Sequence, residues 1–277
     1  GVKVGHARCL IGWGTLVFFG VCFNLSVAVG GERIATLSPH LTEMVFDLGR
    51  GQQLVGVSRF SDHPPAALEL PIIGDALQIN LELIIELNPD QILTWQGGSP
   101  RSVTKLEEMG YSVFKHDLQG LESIGAGYRA LGGLIGAEPE GDRISQEMEA
   151  GIAGLRSRFG ALPAKRVFLQ IASDQLFTVN GEHYMGQAVE ICGAENIFKA
   201  MAVEVAVVSL ESVIQGAPDV VVIVSENFEG STWRERWEDY VPSTPVRGLN
   251  ADLLSRPARR ILKGIEQLCE VIHLDGV

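Results

Sequence analysis

Thirteen residues of this chain occur twice. LELIIELNPDQIL, residues 81–93, returns 129 residues later as LESVIQGAPDVVV, residues 210–222, without a gap and with Leu, Glu, Ile, Pro and Asp at the same five positions. Each copy reads as a short helix. An N-cap opens it, Asn80 or Ser209, and an acid sits in its first turn, Glu82 or Glu211, where the helix dipole favours negative charge. Proline ends the helix, and an Asp leads into an apolar, β-branched run with the pattern of a buried parallel strand. A helix–strand unit used twice at this spacing points to two lobes of similar build. Function is then to be sought between them.

The 277 residues suffice for two lobes of about 100–130 residues each, an ordinary domain size. The first thirty stand apart. Residues 9–29 are uncharged and almost wholly apolar, follow Lys3 and Arg8, and end in Ser26, Val27 and Ala28, a small-x-small pattern that suits a signal peptidase. Residues 1–30 are therefore expected to be a signal peptide, with an uncleaved membrane anchor as the alternative. They carry two basic groups and no acid, so without them the net charge of −12 becomes −14. Such a surface repels nucleic acid. Only Cys192 and Cys269 then remain, an even pair that suits a disulfide in an exported protein or, alternatively, two buried thiols.

The remaining chain alternates strand, loop and helix. Strand 33–37 leads to Ser38 as N-cap and Pro39 at the first helical position, with Leu41, Met44, Val45 and Leu48 at helical spacing. After a strand at 54–57, the loop SRFSDHPP carries Phe60. The first repeat copy ends on Trp95, Gln96, Gly97 and Gly98, at the carboxyl end of a strand, where open parallel sheets bind ligands. Further helices are expected at 103–109 and 121–135. From 139 to 159, Ile144, Met148, Ile152 and Leu155 recur at helical spacing, and a long connecting helix is expected although Gly151 and Gly154 oppose it. A second set follows: strand 166–171, a loop with Phe177, helix 186–192, the second repeat copy, a polar aromatic stretch at 226–248 and a closing helix at 258–272. The fold expected is α/β, with an N-terminal lobe at 31–136, a connecting helix at 137–162 and a C-terminal lobe at 163–277, each lobe built on a parallel sheet.

Signatures of several chemistries are missing: no phosphate loop, G-x-S-x-G elbow, H-E-x-x-H helix or C-x-x-C pair occurs. The glycines of GAGYRALGG, residues 125–133, lie in a helical pattern and read as packing positions. Of six histidines only His40, His63 and His183 fall in or beside the expected interlobe loops, and none has a second ligand at metal-binding spacing. What remains is aromatic and polar: Phe60, Trp95 and Phe177 in loops suited to a bulky organic ligand, with Asp252 and Arg256 in ADLLSRPARR. The plain alternatives are packing aromatics, a helix-start acid and a solvated base.

ATLSPHLTEMVFDLG, GVSRFSDHPP, GDALQINLELIIELNPDQILTWQGG, KRVFLQ, EICGAENIFK and DLLSRP followed by GIEQLC, spread in order over residues 32–272, together resemble the periplasmic cobalamin-binding proteins of ABC importers. The resemblance implies the class III binding-protein architecture, two α/β lobes joined by a single long helix, with a corrinoid held between them and passed, without catalysis, to an ABC permease. Cobalamin is then a transported ligand and not a cofactor; haem or a ferric siderophore is the alternative. By the same resemblance Phe60, Trp95 and Phe177 meet the ligand, as do Asp252 and Arg256; Gln96, beside Trp95, is expected to meet polar groups at the ligand's rim. Glu82 and Glu211 meet the permease, and Cys192 pairs with Cys269. The family's tryptophans near Ala76 and Val205 are missing. A periplasmic monomer is expected.

Overall fold

The computed structural model describes residues 32–75, 78–98 and 100–274; the expected signal segment and Ala76 lie outside them. In the first lobe the order is β1 (Ile34–Thr36), α1 (Pro39–Asp47), β2 (Leu54–Gly56), α2 (Leu81–Leu87), β3 (Gln91–Trp95), α3 (Pro100–Glu108), β4 (Ser112–His116) and α4 (Glu122–Leu134). Helix α5 (Glu138–Phe159) follows. In the second lobe come β5 (Arg166–Gln170), β6 (Phe177–Val179), α6 (Tyr184–Ile191), β7 (Glu195–Asn196), β8 (Val205–Val207), α7 (Leu210–Gln215), β9 (Val220–Val224), α8 (Thr232–Tyr240), β10 (Val246–Leu249), α9 (Ala251–Leu254) and α10 (Ile261–His273).

The lobes repeat each other strand for strand. The first sheet is ordered β2-β1-β3-β4 and the second β7-β5-β9-β10, all neighbours parallel. Register repeats as well: Ile34 lies opposite Gln91, and Val167 opposite Val220. β9, VVVIV, is buried at all five residues, as a central parallel strand covered on both faces must be.

Both repeated Pro-Asp turns do the same work. The backbone N–H of Arg33 donates to Asp90 Oδ2 at 2.8 Å, and that of Arg166 to Asp219 Oδ2 at 2.7 Å. Each arginine then turns its guanidinium onto the open carbonyls ending the repeated helix: Arg33 onto Leu87 and Asn88, Arg166 onto Gly216. The expected N-caps also hold, Asn80 Oδ1 accepting from Leu83 N and Ser209 Oγ from Ser212 N. Proline is not the last word on the helix. The residue before it, Asn88 or Ala217, has left-handed φ of 43° or 41°, a turn forced where proline disfavours right-handed helix at the preceding position.

The connecting helix is continuous for 22 residues, about 33 Å at 1.5 Å per residue. Two of its glycines mark close approaches, while Gly154 faces open space. A Cβ on Gly151 would come within 2.7 Å of Leu262, at the start of α10, and one on Gly141 within 2.6 Å of the Tyr128 carbonyl in α4. The glycine-rich α4 packs along α5, as its pattern implied, with Ile124, Tyr128 and Leu131 fully buried.

Two expectations need correction, and the stretch read only as polar and aromatic takes on a structure. Phe177 is not a loop residue: it opens β6, which pairs antiparallel with β8 in a two-stranded ribbon, Phe177 opposite Val207 and Val179 opposite Val205. Residues 226–248 hold α8 and β10; Trp237 is fully buried and its Nε1–H donates to Gln170 Oε1 at 2.8 Å. Ser38 precedes α1 in extended conformation but makes no cap, its hydroxyl being bonded to His40. Cys192, at the end of α6, is bonded to Cys269 of α10, closing a loop of 77 residues. Closure of that length stabilises by about 4 kcal/mol in the chain-entropy account.

Candidate functional site

A cleft of about 960 Å³ separates the lobes. Its first wall consists of residues that directly follow the carboxyl ends of three parallel strands: Ser38, Pro39 and His40 after β1, Trp95, Gln96 and Gly97 at the end of β3, and Leu118 and Gln119 beyond β4. Opposite stand Glu182, His183 and Tyr184 at the start of α6, Glu204 and Val205 of the ribbon, and Ser255 and Pro257 after α9. Among the described residues no lysine or arginine lines it. The surface is amide, carboxylate and ring.

Trp95 is half-buried, and a Cβ on Gly97 or Gly98 would meet its ring at 2.8–2.9 Å, so this pair of glycines lets the loop fold back beneath the indole. Beside it, Phe60 lines a smaller hollow of about 260 Å³ shared with Leu37, Pro39 and Trp95. Phe60 is held in the left-handed region, φ 66°, with 67% of its surface exposed. A bulky side chain in that conformation costs about 1–2 kcal/mol, and its exposure recovers nothing. A chain of buried hydroxyls keeps the turn in place: Thr36 to Thr42 at 2.6 Å, Thr42 to Ser61 at 3.0 Å, and Ser61 to Ser58 at 3.1 Å.

Behind Trp95 lies a pair of imidazoles that sequence reasoning only half found. His40 Nε2 and His116 Nδ1 are 3.3 Å apart, His40 Nδ1 is 3.0 Å from Ser38 Oγ, and His116 Nε2 is 3.3 Å from the Ser123 carbonyl. A carbonyl only accepts, so His116 carries its proton on Nε2. Its Nδ1 then accepts from His40 Nε2–H, and His40 Nδ1 accepts from the Ser38 hydroxyl. Burial holds both rings below the ordinary histidine range, and for His40 the neighbouring His116 adds to this. Both nitrogens of His40 are thus engaged inside the protein. His183 accepts the Met185 N–H through Nδ1 at 3.2 Å, capping α6, and burial lowers its pKa to about 4. His63 lies elsewhere, in a charged hollow with Glu43, Asp47, Glu147 and Arg259.

Asp252 does stand in the first turn of α9, but Arg256 is not a solvated base. Arg256, with only 9% of its side chain exposed, pairs with Asp252 at 2.7 Å, with Asp62 of the Phe60 loop, and with Glu43 of α1 at 3.3 Å. Glu43, 2% exposed, is also held in two parallel hydrogen bonds by Arg260, at 2.8 and 2.7 Å. Burial pushes the Glu43 carboxyl up, and Arg260 and Arg256 oppose that push. The neighbouring strut runs through Tyr128: its hydroxyl donates to Asp47 at 2.5 Å and accepts the Arg259 N–H at 2.8 Å, while Arg259 pairs with Glu147 of α5. First-lobe carboxylates are thereby bolted to the Arg256–Arg260 segment, immediately behind Ser255 and Pro257 in the cleft wall.

Of the residues singled out in the sequence, the structure brings Trp95, Gln96 and Phe60 together at the cleft. Phe177, Asp252 and Arg256 are not among its lining; Phe177 stands on the strand beside Val205, and Arg256 is committed to carboxylates. Glu82 and Glu211 are exposed on α2 and α7. The lining residues Pro39, Gln119, Glu182, Tyr184 and Glu204 were missed; only their positions after strand ends or before a helix could have pointed to them.

A family model described as periplasmic binding protein matches residues 34–236. The vitamin B12-binding protein of Vibrio cholerae serotype O1 is 34% identical over 250 residues, covering 88% of this chain and 90% of that protein. The crystal structure of the periplasmic vitamin B12 binding protein of Vibrio cholerae superposes with a TM-score of 0.79 at 31% identity, over 88% of this chain and 97% of that one. A periplasmic heme-binding protein from Roseiflexus shares the fold, with a TM-score of 0.78 at 21% identity, over 88% of this chain and 98% of that one.

Proposed function

Because the chain belongs to the periplasmic binding protein family, we propose that it is an extracytoplasmic receptor that captures cobalamin between its lobes and delivers it to an ABC importer without altering it. The observation that carries this reading is the cleft itself: about 960 Å³, near the upper end of small-molecule sites, uncharged by any base, and walled by Trp95 with Phe60 at its edge. A corrinoid suits such a lining. Its ring presents apolar faces to Trp95 and Phe60, and its rim of amides finds matching donors and acceptors in Gln96 and Gln119. An anionic ferric siderophore would call for a cluster of cations, and the described residues offer only Arg59 in the Phe60 hollow and the already paired Arg256 near the cleft. Haem would call for an axial nitrogen: His40 spends both of its own on Ser38 and His116, and His183, whose Nδ1 caps α6, keeps only Nε2 for one.

Phe177, Asp252 and Arg256 join the site in this proposal by rearrangement. A phosphate reaching Arg256 would take the place of Asp62, whose carboxyl the Arg256 hydrogen bond already holds below its usual range. Glu82 and Glu211 serve as docking charges for arginines on the permease. Export to the periplasm accords with the family; among the described residues no helix is long and apolar enough to cross a membrane.

Calorimetric titration of the purified protein with cyanocobalamin, followed in parallel by tryptophan fluorescence, tests the assignment. Saturable heat with quenching is expected. No heat with cyanocobalamin, together with saturable binding of ferric haem, would overturn the ligand while leaving the receptor in place.

A further inference from the structure

The two copies of the repeat agree in burial even more closely than in sequence. From 81 to 90 and from 210 to 219, ten successive residues fall in the same burial class position by position, although only five identities are shared. Three of those identities have a task in the fold. Leu81 and Leu210 pack on their lobe's core, Pro89 and Pro218 are buried in the turn, and Asp90 and Asp219 receive the arginine backbone. The other two are Glu82/Glu211 and Ile85/Ile214. Each glutamate supports its helix through the dipole. The isoleucines belong to neither lobe's core: Ile85 is 49% exposed and Ile214 is 42% exposed.

Single exposed apolar residues are ordinary and need no explanation. An exposed isoleucine retained at the same place in two lobes that otherwise differ is another matter, since a β-branched residue is also a poorer helix former than Lys, Gln or Glu would be there. In each helix it lies three residues after the glutamate, on the same face one turn along. Among the described residues neither glutamate has an ion-pair partner of its own. Each lobe thus offers one acid and one apolar side chain side by side, twice over.

We propose that Ile85 and Ile214 are the apolar anchors of the docking surface, each seated beside its glutamate against one of two equivalent halves of a membrane permease that presents a basic side chain next to an apolar pocket. The inference rests on Glu82 and Glu211 being docking charges. The charges set encounter and orientation, and the isoleucines, once desolvated, slow release.

The test uses the permease dimer of the same host in lipid nanodiscs, with Ile85→Ser, Ile214→Ser and the double variant measured by surface plasmon resonance. Each single change is expected to weaken docking about ten-fold, mostly through faster dissociation and equally at low and high salt, with cyanocobalamin affinity and melting unchanged. If both serine variants dock like the parent while Glu82→Lys and Glu211→Lys do not, the anchors are wrong and the docking charges stand. If all four dock like the parent, the docking reading falls and the anchors with it. A loss confined to one lobe's isoleucine overturns the two-fold equivalence.

Discussion

Glu43 and Arg260 offer the sharpest test of how the lobes are held together. The carboxylate is 2% exposed, the guanidinium 22%, and two charge-assisted hydrogen bonds of 2.8 and 2.7 Å join them. Removing one partner from such a pair strands the other, at a cost of about 3–5 kcal/mol. Two charged hydrogen bonds at roughly 1.5–3 kcal/mol each, less the desolvation of both ions, leave a coupling of about 2–3 kcal/mol. The reference is Arg158–Glu266, a pair of 2.5 Å whose side chains are 56% and 42% exposed and whose coupling should be about 0–1 kcal/mol. Double-mutant cycles by urea unfolding, with Glu43→Gln and Arg260→Gln against Arg158→Gln and Glu266→Gln, measure both. Raising the salt to about 1 M, where the Debye length is about 3 Å, should erase the second coupling and spare the first. A Glu43–Arg260 coupling no larger than that of the surface pair, or equally lost in salt, would refute the claim that this buried contact bolts the lobes together.

Three further outcomes are expected. Stability should fall as pH drops from 6.5 towards 4: His183 has a folded pKa of about 4 against an ordinary 6.5, so the unfolded chain binds the extra proton there, and the contribution, about 3 kcal/mol, is full above pH 6.5 and lost as pH falls to about 4. His40 and His116 act in the same direction, and His183→Asn, which keeps a capping side chain, should flatten part of that acid limb in thermal melts. Ala217→Gly should raise the unfolding free energy by about 0.5–1 kcal/mol, read as a higher urea midpoint at unchanged slope, because glycine relieves the φ of 41°. Phe60→Ala should cost about ten-fold in cyanocobalamin affinity by calorimetry while leaving the melting temperature unchanged, since the ring packs on no core.

The sequence made the two-lobe plan legible because the duplicated unit carries its own boundaries: a cap, an acid, a proline and a strand. Helix α5 was legible through the period of its apolar face; of the two glycines that opposed the reading, Gly151 makes room for Leu262, far along the chain, and Gly154 has no neighbour that needs it. The ribbon of β6 and β8 escaped notice because three-residue strands are too short to show an alternation. In α8 the two tryptophans that face inward are flanked by charge, which hides the amphipathic period. Trp95 was foreseeable as a residue at the end of a parallel strand. The interlobe bolt was not, since Glu43 and Arg260 are 217 residues apart and nothing local distinguishes them from surface charges. Nor does any residue type announce that Phe60 is held at positive φ.

Helix α5, packed along its length against α4 and touched near its far end by α10, behaves as a caliper whose opening is set by steel and not by cargo. In the proposed transport cycle, a spacing held by α5 would offer the faces of α2 and α7 alike in an empty receptor and a full one. On that proposal, empty copies compete with full ones for the same transporter. Uptake at fixed vitamin should rise with receptor abundance, pass through a maximum, and decline once most copies reaching the membrane arrive with nothing to deliver.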